Sequence, residues 1–248
     1  MKDKAPQKAL QKKTESIAEL LKSLGWALLI ALVIRTVAFE SYRIPSGSMY
    51  PTNHVGDFLF VNKFCYGYTK YSLLFSPNIF SGRIFFHPPE RGDVIVFRLP
   101  RDTSTDYIKR LVGLPGDRIQ VKEGILHING DPVQVEQIED FDLKENGVTR
   151  KIKQFMETLP NGVRHKILKS DAFGQGKMDN TVEYTVPLGH YFMMGDNRDN
   201  SVDSRYISEV GFVPEENLIG RAEVTYFSID LDSFPFSLRF KRFFSLIR

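Results

Sequence analysis

Residues 89–98 read Pro89-Glu90-Arg91-Gly92 and then DVIVFR, Asp93 to Arg98. Four turn-forming residues followed by a run with four consecutive apolar residues, three of them β-branched, make a turn and then a strand, since the run is too short for a helix and is bounded on its N-terminal side by Pro and Gly. The pattern repeats outward in both directions. Tyr107 to Val112 (YIKRLV) stops at Leu114-Pro115-Gly116-Asp117, Arg118 to Lys122 follows, and Ile125 to Ile128 stops at Asn129-Gly130-Asp131. Phe58 to Asn62, His190 to Met194 after Pro187-Leu188-Gly189, and Ala222 to Ser228 complete the strand candidates. The body beyond residue 40 is therefore expected to be mainly β, an antiparallel sheet core built from residues 41–130 and 187–233. Residues 131–186 are more polar and carry Asn146-Gly147, Asn161-Gly162 and Gly174-Gln175-Gly176, so they read as a smaller inserted region of strands and loops, away from the chemistry.

The 248 residues carry 33 Lys+Arg against 30 Asp+Glu, a formal charge of +3, with 42% hydrophobic residues. That balance excludes an acidic disordered chain and a strongly basic nucleic-acid binder, so no nucleic-acid partner is expected. A single cysteine, Cys65, excludes an intramolecular disulfide and a multi-cysteine zinc site. The 20 Phe and 10 Tyr favour strands and lipid-facing surface.

Residues 1–22 form a basic flank with Lys2, Lys4, Lys8, Lys12, Lys13 and Lys22 against Asp3, Glu15 and Glu19. Leu24 to Phe39 is apolar apart from Arg35, so residues 23–40 are expected to be one transmembrane anchor, with Leu20 to Phe39 crossing and Arg35 reaching back to a headgroup. The lysine excess then holds the N-terminus in the cytoplasm and sends the β body outside. The aromatic stretch 71–86 (YSLLFSPNIFSGRIFF) and the tail 234–248, which has five Phe, four basic residues and no acid, are candidates for contact with anionic lipid.

Metal chemistry finds no support: the five histidines show no i, i+4 pair. The run DNRDNSVDSR (Asp196 to Arg205) fails as a calcium loop, because Ser204 stands where Gly is needed and Val210 where the bidentate Glu is needed. No nucleotide motif is present, and no cofactor is expected. What remains is IPSGSMYPT, Ile44 to Thr52, a serine-rich turn fixed by Pro45, Gly47 and Pro51. A serine needs an activating base, and sequence spacing leaves two candidates, His54 and Lys109. In the strand 107–112, Tyr107, Lys109 and Leu111 share one face, where desolvation would lower the lysine pKa; an edge-strand lysine reaching solvent has the same pattern.

Five segments occur in an order that resembles bacterial type I signal peptidases: the apolar segment, IPSGSMYPT, RGDVIVF (91–97), YIKRLVGLPGD (107–117) and GDNRDNSVDSR (195–205). The resemblance implies a membrane-bound serine endopeptidase, single-pass in the bacterial inner membrane and monomeric, that removes signal peptides from exported preproteins after small Ala-X-Ala-like residues with a Ser/Lys dyad. It implies Ser48 as nucleophile, Lys109 as general base, and an oxyanion hole from the Ser48 N–H and the Ser46 hydroxyl. Ser201 would orient the lysine, with Asp203 and Arg205 as structural neighbours. Tyr42, Ile44, Leu59, Val96, Tyr107 and Ile108 would line the substrate pockets. Asn53 and His54 depart from the apolar residues usual after the Pro-Thr pair. Two rivals stand beside this reading. A repressor-type Ser/Lys self-cleaving protease would place a DNA-binding domain where residues 1–40 have a membrane run, and an inactive tethered β module that binds export clients would be expected to lack Ser48 or Lys109.

Overall fold

The computed structural model describes residues 5–73, 76–145, 147–230 and 236–247, and for residues 5–16, 37 and 145 the backbone alone. Helix α1 (Ala5–Val37) comes first. Its stretch Ile17–Thr36 is long and apolar enough to cross a bilayer, and none of it is buried against the rest of the chain. Twenty residues at about 1.5 Å each span about 30 Å, the thickness of a hydrocarbon core. The Ser23 and Thr36 hydroxyls donate to the carbonyls of Leu20 and Leu32, so neither is left bare in an apolar surround. The expected span 23–40 is shifted: the helix ends at Val37, Phe39 already belongs to a strand, and helix continues back through the basic flank to Ala5. Arg35 sits in the last turn and meets Glu40 at 3.5 Å, which also accepts from Lys63.

The strands, in chain order, are β1 (Phe39–Arg43), β2 (Asp57–Asn62), β3 (Val94–Leu99), β4 (Asp102–Gly113), β5 (Arg118–Lys122), β6 (Ile125–Ile128), β7 (Asp131–Pro132), β8 (Gln134–Gln137), β9 (Phe141–Glu145), β10 (Val148–Thr158), β11 (Arg164–Lys169), β12 (Tyr184–Thr185), β13 (His190–Met194), β14 (Val213–Pro214), β15 (Leu218–Asp230), β16 (Ser237–Leu238) and β17 (Ser245–Leu246). The main sheet runs β1-β2-β15-β3-β4-β13-β14, with β16 and β17 also on β15. All of its pairings are antiparallel. Val94 to Phe97 is apolar without alternation because both faces of β3 are covered: Ile95, Phe97 and Leu99 enter one core cluster, Val94 and Val96 another. β3 pairs with β4 so that Ile95 faces Lys109 and Val96 faces Ile108.

A second sheet, β11-β10-β8 with β9 on the first half of β10, is made by the inserted region. A third runs β12-β5-β6-β7, so residue 130 is no seam: strands expected in the core pair with strands expected in the insertion. Buried charges tie the second sheet to the body. Glu157 of β10 accepts from the Arg198 guanidinium at 2.8 and 2.5 Å, and His165 of β11 lies 3.2 Å from the same carboxylate. Against the upward push of burial, Arg198 and His165 hold that carboxyl well below the usual carboxylate range.

The aromatic stretches divide. Tyr71 and Ile247 pack on the core, and Phe243 packs on Phe227, so part of the tail is interior. Phe85 and Phe244 are 78% and 75% exposed. Leu74, Phe75, Phe234 and Arg248 lie outside the described residues.

Glu157→Ala leaves Arg198 buried without its carboxylate and is expected to cost about 3–5 kcal/mol. Urea unfolding of the detergent-solubilised chain checks this, and a loss below about 1 kcal/mol contradicts the tie.

Candidate active site

Ser46 is extended (φ −133°, ψ 157°), and Gly47–Met49 form one 3₁₀ turn, closed by the Tyr50 N–H donating to the Gly47 carbonyl at 3.1 Å. A side chain at position 47 would meet the Tyr50 ring at 2.5 Å, which is why glycine stands there. Met49 and Tyr50 are buried in two different apolar clusters, and this anchorage leaves Ser48 half-buried and Ser46 exposed between them. The 195–205 loop holds the turn from the other side. Asn197 donates from its backbone to the Ser48 carbonyl at 3.1 Å and from its side-chain amide to the Gly47 carbonyl at 3.0 Å.

Lys109 reaches this turn from β4. Its Nζ lies 2.7 Å from Ser48 Oγ, 2.9 Å from the Ile108 carbonyl and 5.1 Å from the Tyr107 ring centroid, with the residue 4% exposed. Burial pushes its pKa down to about 8; Asp203 and Asp196 pull the other way, and Arg205 adds to the lowering. Both acids are already engaged. Arg205 grips Asp203 with two contacts of 2.8 Å, and Arg110 grips Asp196 at 2.8 and 2.7 Å. His54 stands apart: its ring packs on Tyr50 and Phe141 at 5.0 and 5.6 Å, and burial followed by the charge of Arg242 pushes its pKa down to about 4.

Ser201 is buried against Gly195, where an added Cβ would come within 2.1 Å of its Oγ. Against the upward push of burial, Arg205 and the Ser201 hydroxyl hold the Asp203 carboxyl below the usual carboxylate range. The acceptor that fixes the lysine beside Ser48 is the carbonyl of Ile108, one residue back on the strand, a role no side-chain pattern announces.

A serine hydroxyl in contact with a buried amine can support nucleophilic attack on a carbonyl. The profile for signal peptidase, peptidase S26, matches residues 17–227. The chain belongs to the signal peptidase family. Signal peptidase I of Rickettsia typhi is 42% identical over 223 residues, covering 88% of this chain and 83% of the relative. That of Rickettsia canadensis is 44% identical over 220 residues, covering 86% and 81%. A solved signal peptidase I from Enterococcus faecalis is 27% identical with a TM-score of 0.31, covering 54% of this chain and 97% of that one. The family is one of membrane-anchored serine endopeptidases, and the substrates of this chain are signal-peptide-bearing exported preproteins.

Of the six residues expected to line substrate pockets, Tyr42, Ile44, Leu59, Val96 and Ile108 gather in one apolar cluster with Met49. Tyr107 departs from them, packing with Phe97 and Leu111 on the opposite face of the sheet. Asn53 is fully buried with its amide unpartnered.

The inserted region is not remote. A cleft of about 530 Å³ beside Ser46, Gly47 and Ser48 is walled by Leu143, Arg150 and Ile152 from β9 and β10, together with Ser170, Asn197 and Asn200. The alternation in β10 is masked by its polar letters, VTRKIKQFMET, so sequence pattern gave no sign that its face turns to Ser48. Asp199, the first residue of the rejected calcium loop, instead ties Lys169 at 2.6 Å and the N–H groups of Ser170 and Asp171.

Gly195→Ala would drive a methyl to 2.7 Å from the Ser48 carbonyl. A displacement of about 1 Å is expected to cost on the order of 10² in kcat/KM. Peptidase assay of the folded variant checks this, and wild-type turnover would contradict the close approach.

Proposed function

We propose that Ser48 is the nucleophile of this peptidase and Lys109 its general base, a reading carried by the 2.7 Å contact between Ser48 Oγ and a lysine Nζ buried deeply enough to lose its proton near pH 8. Protonated, Nζ donates in that contact; neutral, its lone pair accepts the Ser48 proton while an N–H still donates to the Ile108 carbonyl. Oγ then attacks the scissile carbonyl. The oxygen of the tetrahedral intermediate takes the Ser48 N–H, which has no partner inside its short helix, and the Ser46 hydroxyl, which makes no capping bond. Lys109 returns the proton to the leaving amine, the peptide bond breaks, and an acyl-enzyme remains. A water deprotonated by the same lysine attacks the ester, and collapse restores Ser48.

Ile44, Leu59, Val96 and Ile108 form an apolar floor with Met49, the residue after the nucleophile, and an apolar floor suits substrates with small apolar side chains before the cut, as in Ala-X-Ala-like segments. Lysine-rich residues 1–22 hold the N-terminus in the cytoplasm of a bacterium, and the catalytic body lies outside the inner membrane. Exposed Phe85, Phe240 and Phe244, with Lys241 beside them in sequence, suit contact with anionic lipid.

Ser48→Ala and Lys109→Ala are each expected to abolish cleavage of a preprotein with the fold intact, without additive loss in the double variant. Lys109→Arg is equally inactive, since guanidinium keeps its proton. Ser46→Ala lowers kcat by on the order of 10²- to 10³-fold with KM little changed. Assay of the detergent-solubilised variants decides the matter, and turnover by Lys109→Arg would overturn the lysine base.

A further inference from the structure

β9 and β10 form a hairpin in which Leu143 faces Arg150 and Phe141 faces Ile152. Two-residue alternation puts all four on one side of the hairpin. Leu143, Phe141 and Ile152 pack with Tyr50 and Leu168, which seats that side directly over the residue following the Ser46–Met49 turn. Arg150 is its charged, exposed member, and it has no ion pair or hydrogen bond among the described residues. The other residues lining the cleft carry no charge, so Arg150 sets its potential. A second group there is unspent. Asn197 is 4% exposed and donates its amide to the Gly47 carbonyl, yet its Oδ1 has no partner.

The apolar cluster of Tyr42, Ile44, Leu59, Val96 and Ile108 contributes nothing to this cleft, and the two regions meet at the turn that carries Ser48. A peptide whose acyl half lies in the cluster crosses Ser48 and must leave its other half in the cleft. We propose that the cleft receives the preprotein segment following the scissile bond, that Asn197 Oδ1 accepts one of its backbone N–H groups, and that Arg150 favours an acidic side chain two to four residues beyond the cut. This rests on the reading of Ser48 as nucleophile with the acyl half in the apolar cluster.

The test uses three synthetic peptides, identical through Ala-X-Ala and differing at the third residue after the cut, which is Glu, Gln or Lys. The full chain in detergent is expected to cleave them in the order Glu, Gln, Lys, with steps in kcat/KM of about 2- to 5-fold, the scale of an exposed ion pair. The steps shrink at high salt. Arg150→Lys keeps the order and Arg150→Glu inverts it, while Ser48→Ala supplies the inactive baseline. Equal cleavage of the three peptides by the wild-type chain, or an unchanged order in Arg150→Glu, overturns the assignment of Arg150 and leaves the peptidase reading standing. Cleavage of all three by Ser48→Ala at the wild-type rate overturns the nucleophile, and the proposal with it.

Discussion

Arg110 and Asp196 meet in the interior through two parallel N–H···O contacts, with the arginine at 0% exposure. The same guanidinium donates to the Gly92 carbonyl and to Thr52, whose hydroxyl donates to Asp196 at 2.5 Å. The backbone carbonyl of Asp196 accepts from Leu168 of the inserted sheet. One ion pair therefore fixes β4, the end of the Ser48 turn, the 195–205 loop and the insertion relative to one another. A buried pair of this kind adds little net stability over well-packed apolar residues, but it penalises any arrangement that leaves a partner bare. Lys109 and Arg110 are neighbours on one strand, so alternation sends one to Ser48 and the other to the clamp.

The same economy of charge explains why the lysine can act. A buried amine beside a free carboxylate would keep its proton, since an opposite charge at close range offsets desolvation. Asp196 and Asp203 are the acids near Lys109, and each is held by an arginine, Arg110 and Arg205. Both acids still raise the pKa at Nζ, and Arg205 offsets part of that pull. Burial is left as the dominant influence, and the pKa falls into the range where a neutral amine is available near neutral pH.

Much of this was legible in the residues. The short apolar runs between Pro-Gly and Asn-Gly turns all became strands, because turn chemistry and β-branching act locally. The helix end was displaced because apolarity continues through Ala38 and Phe39 while Phe39 is drawn into β1 and packs on Phe60 and Phe64. β10 was illegible as a wall of the site, since half of its face is set by tertiary pairing and not by an apolar alternation. Periodicity alone favoured an exposed edge for Lys109. What settles its surroundings is long-range: Ser48 is 61 residues away in sequence, and the loop that holds Ser48 lies about 150 residues on.

The central claim is that a neutral Lys109 takes the proton from Ser48. Its most direct test is the pH dependence of kcat/KM for one Ala-X-Ala peptide, measured between pH 5 and 10 on the full chain in detergent. A base with a pKa lowered to about 8 predicts a limb rising through that value and, at pH 5.5, a rate roughly 300-fold below the plateau. A rate at pH 5.5 equal to that at pH 9 would mean that no lysine proton has to leave before attack, and would contradict the account.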